Sequence, residues 1–285
     1  MFERFSRSWE LAKASASVLR QDKELLWFPV MSSIALLLVM GSFALPIFGL
    51  GILDNMAGRD DGTTSPIIYA IAFLFYFANY FVIFFFNTAL VGAALIRLDG
   101  GDPTLKDGMR IATSKIVVLV GYAFIAATVG IILKILQDRA GPIGKIVVGL
   151  LGIGWSLATY LVVPVLADNE VGPVDAIKES ATLLKKTWGE NAIGQAGIGL
   201  AFGVIMLVMV LPAMGIIWLA VATNSVVVIA LAVLVVGIAF ALVELVKAAL
   251  QGIYAASLYR FASNGEASES FPLETLKLAF APKGK

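Results

Sequence analysis

Residues 225–259 of the chain are SVVVIALAVLVVGIAFALVELVKAALQGIYAASLY, in which Glu244 and Lys247 are the only charged side chains. A helix needs about 20 apolar residues to cross the roughly 30 Å hydrocarbon layer of a bilayer. Inside that layer the backbone must satisfy its own hydrogen bonds, so a segment of this kind is helical. The stretch therefore predicts a transmembrane helix.

Five further apolar segments of similar length precede this one. They are Leu26–Leu53, Pro66–Leu98, Ile116–Leu136, Ile143–Ala167 and Ala192–Ala220. The chain is 59% hydrophobic and only 14% charged, whereas soluble domains carry about 25% charged residues. We therefore predict an all-α, polytopic membrane bundle with six transmembrane helices in residues 1–262, followed by a cytoplasmic tail at 263–285. Pro46, Pro164 and Pro212 lie inside spans one, four and five and predict local kinks.

Lys and Arg are unevenly distributed between the two ends of these spans. The N-terminal segment, the second and fourth connections and the tail carry most of them, whereas the first, third and fifth connections contain only Arg59, Arg139 and Lys145. By the positive-inside rule, both termini are expected in the cytoplasm. Lys134, near the other end of span three, is expected to anchor the helix at the membrane surface.

A short amphipathic segment precedes each odd-numbered span, at residues 2–23, 103–115 and 173–190. Apolar side chains recur there at intervals of three and four residues, with Lys and Arg on the other faces. This pattern is typical of a helix that lies in the membrane interface. In the second segment we expect Asp102 to be the N-cap and Pro103 the first helical residue.

The ends of spans two and six share a short pattern. Ala93–Leu98 is AALIRL, and Ala256–Phe261 is ASLYRF. An interfacial helix followed by a two-span hairpin occurs three times, which predicts three parallel repeats around an axis along the membrane normal. The alternative is that any membrane protein built from hairpins shows this layout.

Two parts of the chain resemble a known family. The run Phe5–Leu11, together with Val163–Glu170, Gly172–Ile177 and Glu179–Ser180, resembles an uncharacterised family of prokaryotic six-span membrane proteins. The later run also resembles, more distantly, the membrane domain attached to some bacterial glycerophosphodiester phosphodiesterases. The resemblance implies a bacterial or archaeal inner-membrane protein. It implies no phosphodiesterase activity, because the chain has no counterpart of that enzyme's soluble catalytic barrel.

Composition excludes several kinds of chemistry. The chain has no Cys and no His, so it has no disulfide, no Cys or His metal site, no Cys nucleophile and no His general base. A formal net charge of +1 argues against nucleic acid as a partner. The acidic run around span four matches no recognised metal-binding loop, and helix capping explains part of it; it consists of Asp168, Asn169, Glu170, Asp175 and Glu179. We therefore expect no cofactor, no metal and no enzymatic activity.

Two asparagines lie within span two, among many phenylalanines. Asn79 is 18 positions before Arg97, which places it about 27 Å along the helix and near mid-depth. One interpretation is that Asn79 and Asn87 form hydrogen bonds with neighbouring helices. The other is that they face a solute, because polar groups inside a membrane are often functional.

Glu244, Lys247 and Gln251 share one face of span six at positions i, i+3 and i+7. Charged side chains inside a bilayer are costly and often functional. The alternative is that the pair lies close to the inner membrane boundary, where Lys247 extends to the surface and Glu244 pairs with it locally.

A stripe of small residues begins span five. Gly199 and Gly203 form a G-x-x-x-G motif, which permits close helix packing within the chain or between two copies. In the tail, Leu273, Leu276 and Phe280 make a short apolar stripe that could return to the membrane surface or dock on a partner.

These observations lead to two main hypotheses. The first is an integral membrane module that binds membrane lipid or a protein partner and has no enzymatic chemistry. The alternative is a small-solute or amphiphile transporter that uses the polar residues of spans two and six. An intramembrane enzyme is the weakest hypothesis, since no nucleophile–base spacing is present.

Overall fold

The computed structural model describes residues 2–49, 66–188, 197–265 and Phe271, and these ranges are almost entirely helical. The three amphipathic segments form helices at Phe2–Gln21, Leu105–Ser114 and Pro173–Trp188, and we keep for them the name interfacial helices, after their predicted position. The spans are Trp27–Gly49, Pro66–Leu98, Ile116–Arg139, Pro142–Ala158 continued by Val162–Asp168, Gly197–Ala222 and Val226–Asn264. Within these described ranges, six helical segments are long and apolar enough to cross a membrane. The predicted all-α, six-span fold is confirmed.

The observed helix ends follow the apolar runs closely. Span two has the predicted bounds, and span three extends to Arg139. Span six continues to Asn264, where Gly265 ends it with a left-handed φ of 74°, a conformation that glycine adopts without steric cost. The outer part of span one, the first residues of span five and the apolar stripe of the tail lie outside the described residues. After Gly265, Phe271 is the one tail residue that the structure describes, and its side chain is buried.

Span four is interrupted where a proline was expected to kink it. The helix ends at Ala158 and resumes at Val162. Pro164 has no backbone N–H and clashes with the carbonyl four residues earlier, at Tyr160. The freed N–H of Leu161 donates a hydrogen bond to the Ser180 hydroxyl at 3.0 Å, so the third interfacial helix stabilises the break. Span five continues as a helix through Pro212.

The predicted start of the second interfacial helix was wrong by two residues. Thr104, not Asp102, is the N-cap, and Pro103 precedes the helix. The Thr104 hydroxyl accepts a hydrogen bond from the Asp107 N–H, and the Asp107 carboxylate accepts one from the Thr104 N–H at 3.1 Å. This reciprocal capping box outcompetes a simple aspartate cap. The hydrogen bonds from Thr104 lower the pKa of Asp107 below its ordinary value.

The three even-numbered spans pack against one another at the centre of the bundle. Span two contacts spans four and six, and span six contacts span four. Span one lies against spans two and six, span three against two and four, and span five against six. The second interfacial helix packs on span two, the third on spans three, four and six, and the first on spans five and six. This order resembles that of three repeated units, except that comparable packing of span five on span four is not seen among the described residues.

The buried core lies at one end of the bundle, where all three interfacial helices pack. Its members come mainly from the last third of the even-numbered spans, such as Leu90, Leu166 and Ile253. Gly252 of span six approaches span two so closely that a Cβ there would lie 2.9 Å from the Leu90 Cγ. We call this the interfacial end and the other the opposite end.

Candidate functional site

A network of charged and polar side chains surrounds the core at the interfacial end. It joins spans one, two, three, four and six to the interfacial helices. We call it the polar belt. Its members are Asp22, Glu24, Arg97, Asp99, Asp102, Lys115, Asp168, Asn169, Glu170, Glu179, Tyr259 and Arg260. The helix ends supply them because each even-numbered span finishes here.

Arg97, at the end of span two, connects two acidic residues that are far apart in sequence. Its guanidinium pairs with Asp22, which follows the first interfacial helix, and with Asp102 at 3.0 Å. The Asp22 side chain is 8% exposed and the Asp102 side chain is 92% exposed. Nearby, the Glu24 carboxylate accepts a hydrogen bond from the Leu105 N–H at 2.9 Å. These contacts hold the start of span one against the end of span two.

The end of span six is linked to the ends of spans two and four. The Arg260 guanidinium pairs with Asp99 at 2.9 Å and donates a hydrogen bond to the Leu98 carbonyl. The Tyr259 hydroxyl donates to the Asp168 carboxylate at 2.8 Å. Two adjacent residues of one helix therefore join the three central spans.

Span four continues this network into the third interfacial helix and span three. The Asn169 amide donates to Glu179 at 2.8 Å and to the Tyr259 hydroxyl at 3.2 Å. Lys115, which is buried where span three begins, donates to the Asn169 carbonyl at 2.9 Å and pairs with Glu170 at 2.6 Å. The acidic run around span four is therefore engaged in protein contacts. In the described part of the chain, no group of three metal-ligating side chains could hold an ion.

The repeated arginine could be recognised from the sequence, but the polar belt could not. Arg97 and Arg260 are the arginines of the matching AALIRL and ASLYRF patterns, and both form ion pairs at span ends. That match was the available signal. The partners could not be assigned because Asp22 and Arg97 are 75 positions apart and meet only when the helices pack.

The hydrogen bond seen at the asparagines of span two among the described residues is a local one. The Asn79 amide donates to the Phe75 carbonyl of its own helix at 2.7 Å, and the interhelical interpretation stays a prediction for both asparagines. A carbonyl one turn earlier in the same helix therefore accepts a hydrogen bond from the amide nitrogen. Asn87 is partly buried, nearer the interfacial end. Among the described residues, no hydrogen bond links either asparagine to the polar face of span six.

The polar face of span six contains a local ion pair. Lys247 donates to both carboxylate oxygens of Glu244, at 3.0 and 3.1 Å. Glu244 and Gln251 are exposed, and Lys247 is partly buried. Gln251 lies at the level of the interfacial end, beside Gly252. The structure therefore agrees with local pairing of Glu244 and Lys247, and it does not join them to the asparagines.

The small residues of span five do not pack closely at the described position. A Cβ added to Gly203 would have no neighbouring atom within 4 Å, and the residue is exposed. The side-chain surroundings of Gly199 lie outside the described residues. Close packing within the chain is therefore not seen at Gly203, and its use between two copies stays a prediction.

The opposite end of the bundle differs sharply from the interfacial end. Val233, Leu234 and Val235 of span six are 53%, 57% and 58% exposed. Three consecutive helical residues cover about 200° of the helix surface, so most of span six is uncovered here although it is central at the interfacial end. Leu150 and Leu151 of span four are also more than half exposed. Within the described residues, Pro142–Ala158 and span six are not among the helix pairs that pack extensively. We use the name membrane cleft for these two uncovered apolar surfaces, residues 150–151 of span four and 233–235 of span six.

Comparison with known proteins places the chain in a family. The profile of a family of unknown function, DUF6159, matches residues 66–269. The chain belongs to this DUF6159 family. The match includes spans two to six and most of the polar belt. No curated protein and no solved structure matches the chain, so the resemblance to the phosphodiesterase membrane domain finds no support.

Proposed function

We propose that this DUF6159 protein is a lipid-binding membrane module whose membrane cleft holds lipid. The observation that carries the proposal is the exposure of Val233, Leu234 and Val235 on a span that is central at the interfacial end. Such continuous apolar surface is not stable in water. Acyl chains are the occupant that matches its chemistry and its depth.

The polar belt supports a binding module rather than a simple anchor. It ties the interfacial ends of spans four and six together through Tyr259 and Asp168, while the other halves of both spans leave apolar side chains uncovered. The cleft walls named above carry no charge, which favours the hydrocarbon part of a lipid over a polar solute. We infer that the protein acts without enzymatic chemistry, in a prokaryotic inner membrane with both termini in the cytoplasm.

Photo-crosslinking tests the proposal directly. The full chain would be reconstituted in bilayers that contain a phospholipid with a diazirine in mid-chain, irradiated, and mapped by peptide mass spectrometry. We expect adducts on all three residues Val233, Leu234 and Val235, and none on the buried residues Ile253 and Tyr254. Adducts confined to one face of span six at the opposite end would contradict a lipid-filled cleft.

Transport of a small solute or amphiphile is the second candidate function. The observation in its favour is that ion pairs close one end of the bundle while the other end is open, as in one state of an alternating-access transporter. Against it, Asn79 bonds to its own helix and Glu244 pairs with Lys247. Among the described residues, these polar groups of spans two and six therefore form local contacts and are not linked to one another.

Accessibility to water distinguishes the two functions. The chain has no Cys, so the variants Asn79→Cys, Asn87→Cys, Glu244→Cys and Gln251→Cys can each be probed with a membrane-impermeant thiol reagent. We expect no labelling at Asn79→Cys, and labelling from one side at the exposed control Lys185→Cys. Labelling of Asn79→Cys would reveal an aqueous path and would favour transport over the lipid module.

A second copy of the chain is the alternative occupant of the exposed surface, through Gly199 and Gly203. Gly203→Leu would then lower the dimer fraction, measured by light scattering with the detergent contribution subtracted. A wild-type chain that is monomeric in mild detergent would remove this alternative and leave lipid as the occupant.

A further inference from the structure

A separate groove lies between spans two and three at the opposite end of the bundle. Its volume is about 220 Å³. Apolar side chains of both helices form its floor: Ala72 and Tyr76 from span two, and Ile131 and Ile135 from span three. It shares no residue with the membrane cleft, and its occupancy does not depend on whether the cleft holds lipid.

Charged side chains of span three form the mouth of this groove. Lys134, Asp138 and Arg139 line it together with the apolar floor. Two cations and one carboxylate leave the mouth with a net positive charge. In the part of the chain that the structure describes, none of the three forms an ion pair. The groove therefore offers N–H donors to an anion.

The order of charged and apolar side chains along span three matches that of an amphiphile. Arg139 ends the helix, Lys134 lies about 7.5 Å further in, and Ile131 about 12 Å further in, at 1.5 Å per residue. A helix of 24 residues is about 36 Å long, slightly longer than the roughly 30 Å hydrocarbon layer. The cations therefore lie at head-group depth, and the apolar floor lies at the depth of the first acyl carbons.

We propose that this groove binds the head-group end of an anionic phospholipid. Lys134 and Arg139 contact its phosphate, while Ile131, Ile135 and the Tyr76 ring contact the upper acyl chain. Phosphate pairs strongly with these side chains. A volume of about 220 Å³ is smaller than the 300–1,000 Å³ of sites that enclose a whole ligand, so the rest of the lipid remains in the bilayer. Free phosphate would make no use of the apolar floor.

Lipid titration with intact-protein mass spectrometry tests this site. The full chain in mild detergent would be titrated with phosphatidylglycerol, with phosphatidylcholine, and with inorganic phosphate. We expect phosphatidylglycerol to bind at least about tenfold more tightly than phosphatidylcholine, and millimolar phosphate not to displace it. Equal binding of the two lipids, or full displacement by phosphate, would overturn the proposal.

Substitutions in the groove test whether the preference for phosphatidylglycerol over phosphatidylcholine comes from this site. Lys134→Gln combined with Arg139→Gln should lower phosphatidylglycerol affinity about tenfold, and Ala72→Phe should lower it by filling the floor without changing the charge. The matched control is Lys145→Gln, which removes an exposed cation at the same end of span four that does not line the groove. An equal loss in the control would show that surface charge alone attracts the lipid, and this too would overturn the site.

The variants must remain folded for these comparisons to count. Lys134 and Arg139 are exposed and outside the core, so circular dichroism and gel filtration should match the wild type. If the double variant were misfolded, Asp138→Asn provides a test with the opposite sign. It removes the carboxylate at the mouth and should raise phosphatidylglycerol affinity, and an unchanged or lower affinity would contradict the proposal.

Discussion

At the residue scale, Arg97 shows how burial decides the contribution of an ion pair. It pairs with Asp22, whose side chain is 8% exposed, and with Asp102, whose side chain is 92% exposed. Water screens the second pair but hardly screens the first. The same guanidinium therefore offers an internal comparison between a buried and an exposed carboxylate.

Asp22→Asn should destabilise the fold by about 1–3 kcal/mol. This is less than the 3–5 kcal/mol of a fully buried pair, because Arg97 is 21% exposed and keeps Asp102. Asp102→Asn should cost less than about 1 kcal/mol. Thermal unfolding in detergent, followed by circular dichroism, measures both variants. Equal shifts in melting temperature would contradict the account of the polar belt.

Gly108→Ala should destabilise the packing of the second interfacial helix by about 1–3 kcal/mol, the usual cost of overpacking. A Cβ at Gly108 would lie 2.6 Å from the Ala89 carbonyl oxygen of span two and would also overlap the Phe28 ring. Gly203→Ala is the control, since nothing lies within 4 Å of its added Cβ. It should be neutral or stabilising by up to about 1 kcal/mol through helix propensity. A melting temperature that falls in the control but not in Gly108→Ala would refute this packing.

The partner of an intramembrane amide could not be predicted from the sequence. Asn79 was expected either to bond to another helix, because an isolated amide is costly in hydrocarbon, or to face a solute. Its own helix offers a carbonyl one turn earlier, at Phe75, and this local bond is the one observed. The spacing of residues in the sequence does not distinguish a local hydrogen bond from an interhelical one, because either bond would satisfy the Asn79 amide.

At the element scale, the Thr104–Asp107 capping box sets the start of the second interfacial helix. Thr104→Ala should cost about 1 kcal/mol, as the loss of an N-cap usually does. Asp102→Ala, which removes the expected but unused cap, should leave the helix start unchanged. Hydrogen exchange of the Asp107 amide distinguishes the two variants, with faster exchange expected only in Thr104→Ala.

This capping contribution should depend on pH in one direction. Hydrogen bonds from Thr104 lower the pKa of Asp107 below its ordinary 3.8. The stability that the ionised Asp107 carboxylate contributes to the folded state is therefore complete above about pH 3.8. It is lost as the pH falls through the lower pKa that Asp107 has in the folded state. The difference in melting temperature between wild type and Thr104→Ala should be constant at neutral pH and shrink only in strong acid. A difference that shrinks near pH 6 would point to another group.

The break in span four should depend on Ser180. Ser180→Ala leaves the buried Leu161 N–H without its acceptor, at a cost of about 1–3 kcal/mol. Pro164→Ala restores a donor at position 164 and allows the helix to continue. Ser180→Ala should therefore cost less in the Pro164→Ala background, as measured by a double-mutant cycle on thermal stability. Additive effects of the two substitutions would show that the Ser180 hydroxyl does not stabilise the break in span four.

Helix positions could be predicted more reliably than helix ends. The apolar run of span two predicted where that helix lies, and span four is interrupted beside Pro164, although span five continues as a helix through Pro212. Caps were harder, because Asp102 and Thr104 are both good N-cap residues. Only the reciprocal bond with Asp107 distinguishes them.

At the scale of the whole molecule, the bundle is closed at one end and open at the other. Spans two and six meet at Leu90 and Gly252, and the polar belt ties the ends of all three even-numbered spans together. Towards the opposite end, span six leaves the centre and exposes most of its surface. The sequence could not predict this, because an apolar run has the same composition whether lipid or protein covers it. The asymmetry is therefore a property of the packing.

Site-directed spin labelling tests this asymmetry most directly. The chain has no Cys, so single nitroxides can be placed at Val233, Leu234 and Val235, and at Ile253 and Tyr254, and their collision rates with oxygen measured in bilayers. We expect high oxygen accessibility at all three residues of the opposite end and low accessibility at both residues of the interfacial end. A helical periodicity at 233–235, with one position as inaccessible as Ile253, would show a bundle packed along its whole length and would contradict the account.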